Sequence, residues 1–267
     1  MTPLLRSLLT ELFGNMAFKG LVTAVVLIAT ALECADPVGC APRAPYWASL
    51  VTIFVLIPKL GFATGGHFNA SVSIGAAAAG QLSWPRFALY VCCQCAGVVL
   101  AMSLIRLLAP ERYHGHVGAP SSPLVPVWAA ALELCFGFVN TSIGLWADLF
   151  GSHRAWWVAL LVIVQILVSG ACMDPTGALA GAYFNHEYAL LLEVYWLPSL
   201  AGAALAGLAH RALRSPVAEE SYIARHPELA TELRDAIATA VDERSDEPLT
   251  RVASVLRRRA PTASAGR

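Results

Sequence analysis

The chain has 267 residues, 57% hydrophobic and 13% charged, with acidic and basic side chains in equal number. Its mean hydropathy is +0.60. That balance excludes an ordinary soluble domain, and seven cysteines in a chain this long exclude a disulfide scaffold. The charge is unevenly placed: residues 1–210 hold 8 Lys+Arg and 9 Asp+Glu, whereas residues 211–267 hold 10 and 9. A membrane body followed by a polar tail is expected.

A bilayer core calls for about 20 mainly apolar residues per spanning helix. In chain order the expected spans are residues 11–34, 46–64, 86–109, 125–147, 155–170 and 189–210. No small-residue cleavage site follows the first, so it reads as a helix that stays in the membrane. Cys34 and Cys40 flank the Pro-containing connection after it and could pair if that loop faces an oxidising lumen. The second span contains Pro58 and Lys59 and runs into Gly-Gly-His-Phe-Asn-Ala-Ser (residues 65–71). Cys92, Cys93, Cys95 and Cys135 lie in apolar runs, where cysteine acts as a small hydrophobe. The short fifth span runs into Gly-Ala-Cys-Met-Asp-Pro-Thr (residues 170–176).

These two small-residue stretches answer each other. Each presents a residue able to cap a helix, Asn69 or Asp174, and each cap is followed 28 residues later by a glycine in an apolar run, Gly97 or Gly202. Each is also followed by an apolar piece too short to cross, residues 70–79 and 175–183. Such pieces suit half-helices that enter and stop, tolerated at that depth only where buried in protein or lining a wet cavity. Matching interruptions in two halves of a hydrophobic chain point to a transport site. The fold expected is an all-α membrane protein: six spanning helices plus two re-entrant half-helices in an inverted repeat. The channel domain would be residues 1–213, with repeats at about 1–110 and 124–213. Residues 214–267 would form a polar tail, partly helical through an amphipathic stretch over 227–241, or disordered. An even number of spans puts both termini on one side, and the arginine-rich tail makes that side cytoplasmic.

Asn69-Ala70-Ser71 and Asp174-Pro175-Thr176 resemble the paired Asn-Pro-Ala loops of the major intrinsic protein (aquaporin) family, and Glu11 and Glu133 resemble its paired glutamates. The similarity covers roughly residues 8–213. Residues 109–113, 118–121, 170–177 and 194–197 look like the small basic intrinsic proteins and related unorthodox intracellular members. The resemblance implies an hourglass pore in each subunit of a homotetramer and passive passage of water or small neutral solutes. It also favours an intracellular, endoplasmic-reticulum-like membrane over the plasma membrane.

The resemblance also assigns roles. Asn69 caps its half-helix through its oxygen and turns its NH2 toward the pore, while Ala70, in place of proline, keeps one more N–H donor. Asp174 is a good cap, but as a carboxylate it only accepts hydrogen bonds. Burial and the helix dipole pull its ionisation in opposite directions. Gly177 stands where most members carry an arginine, so the constriction is expected to be wider and less polar. Together Asp174 and Gly177 are expected to weaken cation exclusion. Val162, or alternatively Gln165, and Ser49 are the other constriction candidates.

His67 and Cys172 lie two residues before the caps. His67 would line the vestibule or bond a loop carbonyl, and Cys172 is either a pore thiol or a buried inert one. Glu11 and Glu133 would accept loop N–H groups, and Gly97 and Gly202 would let helices cross closely. No metal-ligand set, nucleotide-binding loop or nucleophile triad is present, so no cofactor, catalysis or nucleic-acid partner is expected. The competing reading is a poorly conducting family member with a structural or interaction role.

Overall fold

In the computed structural model the described residues are 2–34, 43–116, 124–146, 153–169, 174–213, 227–242 and Val252. The chain divides into two units, Met1–Ala212 and Leu213–Arg267. Among the described residues of the first unit, six helices are spanning or nearly so: α1 (Pro3–Glu33), α2 (Ala44–Phe62), α4 (Trp84–Leu108), α5 (Pro126–Leu145), α6 (Arg154–Ser169) and α8 (Leu191–Leu213). Five are long and apolar enough to cross a bilayer; α6 is apolar but shorter. Two short helices, α3 (Ala70–Ala78) and α7 (Pro175–Asn185), follow the interruptions. The expected architecture of six spans and two half-helices is the one observed. In the second unit α9 (Pro227–Asp242) forms where the amphipathic spacing placed it.

The first helix starts eight residues before the apolar run. Pro3 sits in its first turn, and the Thr2 hydroxyl accepts the Leu5 N–H at 3.3 Å. Along α1 the buried residues are Glu11, Asn15, Lys19, Thr23, Leu27 and Thr30, a largely polar stripe at helical spacing. The opposite face presents Phe13, Leu21, Ile28 and Leu32 outward. A helix in lipid gains nothing from hiding leucine, so the polar stripe is what the bundle encloses.

Pro58 leaves its mark on α2. Proline lacks an N–H and its ring collides with the carbonyl four residues back, and Ile57–Phe62 accordingly winds as a π-helical turn. A second π-helical turn, Leu191–Trp196, ends just before Pro198 in α8.

Two glycine crossings hold the repeats together. A methyl group built on Gly97 would overlap the Leu12 carbonyl oxygen, and one on Gly202 would overlap the Leu134 carbonyl oxygen. So α4 crosses α1, and α8 crosses α5, with backbones in contact. Each half-helix packs on its own repeat and on the other as well. A methyl on Gly75 of α3 would meet Thr141 of α5, and one on Gly207 of α8 would meet the Gly75 carbonyl. In the same way Ala180 and Phe184 of α7 join Leu27 of α1 and Val98, Ala101 and Met102 of α4 in one apolar cluster, closed by Tyr113. This exchange brings the two half-helix starts together.

Candidate pore

Each half-helix begins at a side-chain cap. Asn69 Oδ1 accepts the Ser71 N–H at 2.7 Å, and Asp174 Oδ1 accepts the Thr176 N–H at 3.1 Å. Both caps have extended backbone, as an N-cap requires. The tips touch: Thr176 Oγ1 lies 3.2 Å from the Phe68 carbonyl oxygen, just before Asn69, and 2.7 Å from Asp174 Oδ1. Two helix N-termini, each the positive end of a helix dipole, therefore meet at one place.

A cavity of ≈ 610 Å³ lies along these tips. Asn69, Val72 and Ala76 of the first half-helix line it, as do Asp174, Gly177, Ala180 and Gly181 of the second, each set at helical spacing. Ala70, Ser71, Pro175 and Thr176 are buried behind that wall. The extra N–H expected at Ala70 thus belongs to a residue enclosed by protein, not one lining the cavity. Ser49 and Val162 line the cavity, among Ile53, Val158 and Ile166. Gln165, the alternative to Val162, is fully buried and accepts the Asn140 amide at 3.1 Å. At Gly177 a methyl group would lie 3.1 Å from Asp174 Oδ2, so anything larger crowds the carboxylate oxygen that is not used for capping.

His67 lines the cavity, but its ring partner is a hydroxyl, not a loop carbonyl: Nδ1 lies 3.0 Å from Ser73 Oγ. The Tyr90 ring packs edge-on against it. Behind it the loop is tied to α1. Glu11 accepts the N–H groups of His67 at 2.7 Å and Phe68 at 2.9 Å, and the Gln94 amide at 2.8 Å. The same amide donates to Ser73 Oγ at 2.9 Å, and Asn15 donates to the Gln94 carbonyl at 2.8 Å. Glu133 is completely buried at the matching place in α5. Cys172 lies outside the described residues, as does Cys40; Cys34 is disulfide-bonded.

Two residues that the sequence reading passed over are central. Phe68 has φ +52°, a left-handed conformation unusual for a bulky residue. Its ring fills the space left by Gly14 of α1 and Gly66 of the loop, where a methyl on either would overlap it. Gly14→Leu is therefore expected to push the ring out and loosen the first loop, costing about 1–3 kcal/mol of stability. Thermal unfolding of the detergent-solubilised protein measures it.

The second is Lys19, buried in α1, whose ammonium pairs with Asp174 Oδ2. Both side chains are mostly buried, at 8% and 15% exposure, and both line the cavity. The expectation of weakened cation exclusion counted Asp174 without this partner. The available signal was a lone lysine inside an apolar span, costly in lipid and hence a functional candidate, eight residues or about two turns after Glu11.

The family model of the major intrinsic proteins matches residues 2–210. The chain belongs to that family. Among relatives of this major intrinsic protein, "Aquaporin SIP1-1" of Oryza sativa subsp. japonica is 32% identical over 170 residues, covering 58% of this chain and 69% of that protein. "Aquaporin SIP1-1" of Zea mays is 30% identical over 222 residues, covering 76% and 91%. The X-ray structure of the aquaglyceroporin from Plasmodium falciparum aligns with a TM-score of 0.60 at 15% identity, covering 81% of this chain and 99% of that one. The fold is shared with it. This major intrinsic protein is an integral, multi-pass membrane protein of a channel family, with SIP-type relatives.

Proposed function

We propose that the chain is a passive channel for water and small uncharged solutes, with glycerol, urea and hydrogen peroxide in range. One observation carries the reading: two capped half-helix starts abut, and both caps line the same cavity. Opposed dipole ends disfavour cations, while the caps offer hydrogen bonds to a neutral molecule. Ser49, Val162 and Gly177 form the constriction in this reading. They give it small or apolar walls and no arginine, which suits solutes larger than water. Glu11 and Glu133 act as loop anchors, and Gly97 and Gly202 as packing positions.

A homotetramer, an intracellular membrane and cytoplasmic termini complete the proposal. It takes the substitutions at both loops as changes in selectivity. The competing reading, a poorly conducting member with a structural role, draws on the Lys19 side chain lodged against Asp174 at the cavity wall.

Swelling of proteoliposomes carrying the full chain separates the two. Water and glycerol permeabilities several-fold above empty vesicles are expected; permeabilities equal to empty vesicles reject the channel. Gly177→Arg is expected to cut glycerol permeability about tenfold, since a bulky cationic side chain would occupy the constriction. Water permeability should fall less.

A further inference from the structure

We propose that Lys19 is a selectivity-determining residue of the pore: it cancels the field of Asp174 and supplies the hydrogen-bond donors that an acidic cap lacks. The inference rests on the channel reading and names the charge balance at its waist.

Asp174 does two jobs with two oxygens. Oδ1 is committed to the Thr176 N–H as the cap, and Oδ2 meets the Lys19 ammonium. A carboxylate at a pore waist, left to itself, attracts cations and offers no donor. The ammonium carries three donors on a flexible stem. It therefore neutralises the carboxylate and keeps hydrogens for a passing oxygen atom. With the pair's net charge at zero, the positive ends of the two half-helices, together with Arg154 on the same cavity wall, oppose cations.

The two repeats make the case independently. Lys19 follows Glu11 by eight residues, and Thr141 follows Glu133 by eight. These equivalent positions both line the cavity, and Thr141 lies against the first half-helix at Gly75. The half-helix with the neutral cap, Asn69, has a neutral residue at this position of the opposite repeat; the one with the acidic cap, Asp174, has a base. The base thus stands on the side of the acidic cap, and the position matched to it in the other repeat carries no charge. A lysine whose only task was to tie α7 to α1 would not need to line the cavity. The ammonium also lies 4.7 Å from the centre of the neighbouring Phe18 ring, another cavity-lining side chain.

The test uses the full chain in proteoliposomes, with water swelling and reversal potential in a sodium chloride gradient read from the same preparations. Wild type is expected to pass water and no ions. Lys19→Met is expected to admit sodium in preference to chloride by about tenfold or more, the scale of a unit charge a few ångströms from a permeating ion. Asp174→Asn, although it restores the family's usual residue, is expected to favour chloride. The double variant Lys19→Met/Asp174→Asn should lose the cation and anion preferences of the single variants. If both single variants fold, pass water and leave the reversal potential unmoved, the inference is overturned while the channel reading stands. When only one single variant folds, its reversal potential decides by the same criterion. If neither folds, the pair is a structural clamp and the selectivity role is rejected. Wild-type vesicles that swell no faster than empty ones overturn the channel reading, and this inference with it.

Discussion

Gly97→Val and Gly202→Val are each expected to abolish the folded channel unit. At both sites even a methyl group would overlap a carbonyl oxygen of the helix crossed, Leu12 or Leu134. The obstructing atoms are backbone inside helices, so no rotamer change relieves them. Overpacking a tight core with one or two methylenes costs about 1–3 kcal/mol, and here a branched side chain meets a wall that cannot yield. The relief available is separation of α1 from α4, or of α5 from α8, which would pull the half-helices off their seats. Gly20→Ala is the control: its new methyl finds Ala101 at 3.7 Å, an ordinary contact, and helix propensity favours it by about 0.5–1 kcal/mol. Recovery of monodisperse, detergent-solubilised protein reads the difference. Valine variants recovered at the wild-type level would disprove the close crossings.

Glu11→Ala ranks next. The carboxylate accepts three donors in a buried site, two from the loop backbone and one from Gln94. Leaving a buried donor unpaired costs about 1–3 kcal/mol, so the sum is a large share of the roughly 5–15 kcal/mol that separates folded from unfolded domains. The loss falls on residues 67–68, which position the Asn69 cap. Water permeability is therefore expected to fall even in whatever fraction still folds. Glu11→Gln keeps the shape and one acceptor oxygen but turns an NH2 toward the remaining donors, so an intermediate loss of both stability and permeability is expected. Swelling assays and thermal unfolding on the same preparations give the comparison. Wild-type behaviour of Glu11→Ala would show that the loop holds itself.

Much of this was legible along the chain because the bilayer makes the rules simple. Runs of about 20 apolar residues predict helices, and small-residue interruptions ending in Asn69 and Asp174 predict two further starts within the membrane. The equal offsets to Gly97 and Gly202 carried the duplication, and their meaning as crossing points needed only the missing side chain. Phe68 was harder. Its role depends on absent side chains at Gly14 and Gly66, on two elements far apart in sequence, and on a left-handed backbone that nothing nearby in the sequence announces.

By itself the sequence determined the elements, the two half-helix caps and the repeat, since each depends on hydropathy, on proline or glycine geometry, or on a side chain reaching its own backbone. Only the tertiary structure decided which side chains face the cavity: Val162 and not Gln165, Asn69 and Asp174 and not the residues that follow them. That choice is set by how far each helix is turned about its axis, which depends on packing against other helices. The exchange of half-helices between repeats is of the same kind, and so is its main consequence. Lys19 and Asp174 lie 155 residues apart, each carrying a charge that reads as a liability alone. They become a neutral pair because α7 packs against the first repeat as well as its own.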